Sequence, residues 1–141
     1  MKKIGIFLLL LLPVLLALGL PHLIGSNDGG PILTANCPDL VQGCPVAFGE
    51  RSAEVRFLSA PTTLQRFGLQ VKAPDARHVA ADMTMQGMNM GQNRYVLMRA
   101  ADGVWYGNIV LPVCVSGARN WVMTLELDGV KRQISFVTTK P

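Results

Sequence analysis

Past residue 44 the chain alternates apolar and polar residues in short runs broken by turn residues, and this period of two restricts the fold more than any other feature. In "LQRFGLQVKAP", Phe67, Leu69 and Val71 share one face, with Arg66, Gln70 and Lys72 on the other. In "RHVAADMTM", Val79, Ala81, Met83 and Met85 oppose His78, Ala80, Asp82 and Thr84. "AEVRFLSAP", "RYVLMRAA" and "GVWYGNIVLPVC" add further runs. "WVMTLELDG" turns Trp121, Met123, Leu125 and Leu127 inward, and Asp128-Gly129 then signals a hairpin into "KRQISFVTTK". About seven short strands at regular spacing, with no amphipathic helix among them, predict an all-β fold, an immunoglobulin-like β-sandwich. The hallmark of two Cys flanking a Trp is not met, so this rests on strand count and spacing.

The first residues, "MKKIGIFLLLLLPVLLALGLPHLIGS", set two Lys before an uncharged apolar run. The run approaches the roughly 20 residues that span a bilayer, and membrane helices tolerate a Pro such as Pro13. Residues 1–24 are therefore expected to be one N-terminal transmembrane helix, with a cleaved signal segment as the alternative. Lys2 and Lys3 would stay in the cytoplasm, which puts the rest of the chain outside it. In a Gram-negative cell this is a single-pass inner-membrane protein with a periplasmic domain, or a soluble periplasmic one after cleavage. Residues 25–43 read as a linker rich in Gly, Asn, Asp, Ser and Pro, and residues 44–141 as the exported domain. Of the net charge of +4, Lys2 and Lys3 contribute two, leaving +2 scattered over the domain. Nucleic-acid binding needs a clustered basic patch, which is missing.

An exported chain with three Cys is expected to hold one disulfide and one remaining thiol. Cys37 with Cys44 would close a short loop, while Cys44 with Cys114 would tie an early strand to a late one. Catalytic arrangements are absent: no Ser/His/Asp set, no carboxylate pair, no phosphate loop and no CxxC. The chain reads as a non-enzyme.

The chemistry on offer is thioether. "DMTMQGMNMGQ" packs Met83, Met85, Met88 and Met90 into eight residues of a chain with seven Met. Alternation gives Met83 and Met85 a core reading, since Met is a common gap filler. Met88 and Met90 lie between Gly87 and Gly91, in a turn where periodicity asks for no apolar side chain. Thioethers are soft and uncharged, and Cu(I) is the soft ion that accepts several of them without deprotonation. The candidate metal ligands are therefore Met83, Met85, Met88 and Met90, with His78 and Cys114 as further donors. Each has a structural counterpart: His78 is on a polar face, and Cys114 serves equally as a disulfide partner.

The stretch from Gln70 to Phe136 resembles the FixH/YtkA-like domains in three features: a strand running into a Met-Gly-Met turn ("MQGMNMG"), then "GVWYG", then "GARNW". The chain differs in carrying Gln86 where that turn has Pro, in the added "NMG", and in "LPVC". The resemblance implies a small membrane-anchored, exported domain for copper handling or cytochrome oxidase assembly. It also implies a copper-acceptor or oxidase-assembly protein as partner. The rival expectation is a metal-free assembly or interaction subunit that uses the Met turn as an adaptable contact.

Overall fold

The computed structural model describes residues 31–88, 91–113 and 116–139. They form ten strands: β1 (Leu33–Ala35), β2 (Cys44–Phe48), β3 (Arg51–Phe57), β4 (Arg66–Lys72), β5 (Val79–Met85), β6 (Arg94–Val96), β7 (Met98–Arg99), β8 (Trp105–Val110), β9 (Asn120–Leu127) and β10 (Val130–Val137). Two five-stranded sheets, ordered β1-β10-β9-β5-β6 and β2-β3-β4-β8-β7, form an all-β sandwich. No helix of the described residues is long and apolar enough to cross a membrane, and the segment 1–24 lies outside them.

The alternation becomes the core directly. Phe67, Leu69 and Val71 of β4 are buried, as are Trp121, Met123, Leu125 and Leu127 of β9. Asp128-Gly129 forms the two-residue turn between the paired residues Leu127 and Val130. Both turn residues have positive φ, 48° and 91°, as the favoured hairpin turn requires.

Three of the ten strands are additional to the runs visible as alternation. The run "RYVLMR" is split: β6 pairs with β5 in one sheet, and β7 pairs with β8 in the other. Between them Leu97 is buried and donates its N–H to Val79 O at 2.9 Å, so the chain changes sheets at that residue. β2 contains Pro45, which an edge strand accommodates because one side of its backbone needs no partner. β1 lies inside the stretch read as a linker. It pairs in parallel with β10 from Leu33↔Arg132 to Ala35↔Ile134, and the compact unit runs from Pro31 to Pro141.

Residues 37–43 are also packed rather than free. Cys37 and Cys44 form a disulfide with Cα atoms 5.8 Å apart, inside the usual range. Leu40 is buried within that loop, and its carbonyl accepts the Phe57 N–H at 2.7 Å. The short pairing is thus the one formed, rather than Cys44 with Cys114. Two of the three cysteines are consumed, so thiol titration of denatured, unreduced protein is expected to give about one thiol per chain. A count of three would show that the protein is made where disulfides do not persist.

The sandwich has two distinct ends. One carries the β2–β3, β4–β5, β7–β8 and β9–β10 connections, and is called here the hairpin end. The chain also enters from this side, because β1 runs parallel to β10 away from the hairpin. The opposite end carries the disulfide loop and the β3–β4, β5–β6 and β8–β9 connections. The Met stretch belongs to this second end.

Candidate functional site

β5 carries the first half of the Met stretch with its side chains turned inward. Met83 pairs with Met123 and Met85 with Trp121 across to β9. Both are core residues, 0% and 2% exposed. Both belong to the hydrophobic core cluster, as the core-packing reading of Met83 and Met85 expects.

Beyond β5 the chain turns. Met88 N–H donates to Met85 O at 3.2 Å, Gly87 has φ of 77° and Gly91 of 74°. A Cβ on either glycine would meet nothing within 4 Å, so the left-handed backbone, not crowding, requires glycine there. The return leg is fixed by Asn93, whose carbonyl accepts the Met83 N–H at 2.9 Å. Met88 is 43% exposed. Met90 lies outside the described residues.

Charge holds the base of this turn. Arg94, first residue of β6, reaches Asp82 at 2.6 Å and Glu126 at 3.1 Å, joining β6, β5 and β9 on one outer face. The hydrogen bond to Glu126 raises the Arg94 pKa most, burial opposes it, and the hydrogen bond to Asp82 and the two carboxylate charges add to the rise. The guanidinium therefore stays charged at any working pH.

The other two candidate donors separate. His78 is exposed and sits at the hairpin end, where its backbone N–H donates to Asp128 Oδ1 at 2.8 Å. The seven residues of β5 stand between it and the Met turn, about 20 Å at the rise of a strand. His78 therefore does not join the turn, and its polar-face placement is the structural one. Cys114 lies outside the described residues. Its described flanks belong to the β8–β9 connection at the same end as the turn. That connection leads into β9, and Gln86 N–H donates to Asn120 O at 3.0 Å at its start.

Sequence reading missed what surrounds the turn. A groove of about 400 Å³ opens at this end, lined by the disulfide loop and by Phe57, Gln86, Asn120, Trp121 and Phe136, among others. Its residues come from six separate segments, so no run of sequence signals it. Trp121 Nε1 is buried and has no hydrogen-bond partner among the described residues. Among the described residues no three His, Cys, Asp or Glu group together as ligands of a metal ion. The donors offered by the turn itself are thioethers.

Comparison with protein-family models, with curated proteins and with solved structures finds no match to this chain.

Proposed function

We propose that this is a membrane-anchored, periplasmic Cu(I)-binding protein that works in copper handling or cytochrome oxidase assembly, without catalysis of its own. The observation that carries the reading is Met88, an apolar thioether held 43% exposed on a turn made by two left-handed glycines. Met85 and Met83, three and five residues before it, are buried in the core, so the exposure begins where the strand ends and the turn starts. Met88 and Met90 would hold the ion, and Cys114 would be a further soft donor from the neighbouring connection. Met85 would support the turn from the core. The donor set suits Cu(I), whereas Zn(II) wants thiolate, imidazole or carboxylate.

The two-sheet sandwich, with a chain that changes sheets repeatedly, is consistent with an immunoglobulin-like domain and with the FixH/YtkA-like resemblance. The apolar run before the domain is the expected anchor, and the disulfide fits an oxidising compartment.

A Cu(I) competition titration against a chelator tests the site. Changing Met88 and Met90 together to Leu keeps bulk and apolarity, and swaps of this kind usually cost less than about 1.5 kcal/mol. The variant is expected to fold and to lose at least about tenfold in affinity, or about 1.4 kcal/mol. Equal retention by both proteins would move the site elsewhere. No retention by either would favour the metal-free interaction subunit.

A further inference from the structure

We propose that the cleft between the edge strands β1 and β2 is a binding site for a small organic acid, with Arg132 as the group that takes its carboxylate. β1 ends one sheet and β2 ends the other. The cleft between them, about 330 Å³, is lined by both strands and by Arg132 of β10. That volume is at the small end of ligand pockets.

Arg132 breaks the pattern of its strand. It lies in the inward row of β10, between Val130 and Ile134, and pairs with the buried Leu125 of β9. An apolar residue would fill this position without taking a charge out of water. A residue that breaks the local rule in this way marks a functional position. Its guanidinium is also fixed. Nε donates to Ala47 O at 2.8 Å, Nη1 donates to Lys131 O at 2.7 Å, and Cζ lies 5.8 Å from the centroid of the Phe48 ring. The first bond latches β10 to β2 across the cleft, which accounts for Nε but leaves the outer N–H groups of the fork unspent.

No carboxylate of the chain answers those groups. Arg132 forms no ion pair among the described residues, and none of the described residues lining the cleft is Asp or Glu. A guanidinium already held in place presents its fork with little further loss of freedom, and the fork matches a carboxylate in shape. Ala47 adds a backbone donor. Its carbonyl points to Arg132, and in a strand the N–H and C=O of one residue point to the same side, so its N–H opens to the cleft as well. Beside these donors Leu33, 57% exposed, and Pro45 offer apolar surface. Charge and apolar surface together select a carboxylate carried on an apolar body over a bare inorganic anion.

The test uses the metal-free, full-length protein in non-ionic detergent. The probe is benzoate, with benzamide as its neutral isostere and inorganic phosphate as an anion without an apolar body. Benzoate is expected to bind with a Kd on the order of 1 mM or tighter, and at least about tenfold more tightly than either control. Its binding should weaken between about 0.1 M and about 1 M salt. Backbone amide resonances of Thr34, Ala47 and Gly49 should move, while those of Val96 and Met98, on the opposite edge of the sandwich, should not. Arg132→Gln should lose at least about tenfold in benzoate affinity. That substitution also removes the latch to Ala47, so its melt is followed by circular dichroism, and the comparison of benzoate with benzamide on the wild type does not depend on the variant folding. The proposal is overturned if benzoate does not bind, or if benzamide or phosphate binds as tightly. It is also overturned if the shifts map elsewhere, or if folded Arg132→Gln binds as wild type does. The Met88 site lies outside the cleft, so none of these outcomes decides the copper reading.

Discussion

Replacing Phe57 by Ala is expected to lower the unfolding free energy by about 3–5 kcal/mol, the usual loss for a fully buried Phe. Phe57 is 0% exposed. Its ring meets Phe67 edge-to-face at 5.0 Å within its own sheet and Phe136 at 5.1 Å across the sandwich. The substitution therefore removes a contact between sheets as well as its own buried area. Its N–H also holds Leu40 O, so the disulfide loop rests on the same residue. A domain of this size has only about 5–15 kcal/mol of stability in all, so the variant should be near the edge of folding. Denaturant titration with circular dichroism would measure the shift in midpoint. A loss under about 1 kcal/mol would mean that the neighbours collapse into the space, and that the Phe cluster is not what joins the sheets at this end. Phe57→Leu, which retains most of the apolar volume, should recover much of the loss.

The strands that form the core could be read in advance because each one buries a single face. Alternation placed Phe67, Leu69 and Val71 inward, and Trp121 through Leu127 likewise, and all are buried. Asp128-Gly129 announced its turn because few residue pairs accept positive φ twice in succession. The exceptions have physical causes. Ala80 was expected on the outer face, and it is buried because Glu126 and Val96 flank it on the neighbouring strands. β1 is three residues long and pairs at an edge, so it has no buried face to produce a pattern. "RYVLMR" has one period but serves two sheets, and only the burial of Leu97 shows where it divides. At the candidate site, the inward pair Met83 and Met85 and the outward Met88 followed from the same rule plus the glycines. The groove did not, since its lining residues meet only through the fold. His78 looked close to the Met cluster in sequence, but a strand separates what a helix would bring together.

Replacing Asp128 by Ala is expected to cost about 1.5–3 kcal/mol at neutral pH, because one carboxylate serves three donors. Oδ2 accepts Arg51 Nη1 at 2.7 Å, and Oδ1 accepts the Arg77 and His78 N–H groups at 3.0 and 2.8 Å. Its own N–H donates to His78 O at 3.0 Å, so the β9–β10 turn and the β4–β5 connection are tied through this residue. The Arg51 hydrogen bond holds the carboxyl below its ordinary pKa, with the two backbone N–H groups adding to it and burial opposing. Arg51 is 38% exposed, so solvent screening reduces what its charge contributes to stability. A depressed folded-state pKa contributes stability that is complete above the unfolded value of about 3.9 and is lost as pH falls through the folded value. Asp128→Asn separates charge from shape. Asn tolerates the left-handed backbone at φ 48° and favours the Asn-Gly turn. It keeps one acceptor oxygen but loses the charge, which roughly halves the strength of each hydrogen bond. At neutral pH the Asn variant should therefore lose about half of what the Ala variant loses. The gap between wild type and Asn should then close as pH is lowered below about 3.9, because protonated Asp no longer differs from Asn in charge. Urea titrations of the three proteins at neutral and acid pH measure both effects. A wild-type advantage over Asn that persists unchanged in acid would show that the contribution of Asp128 is geometric and that its charge is incidental.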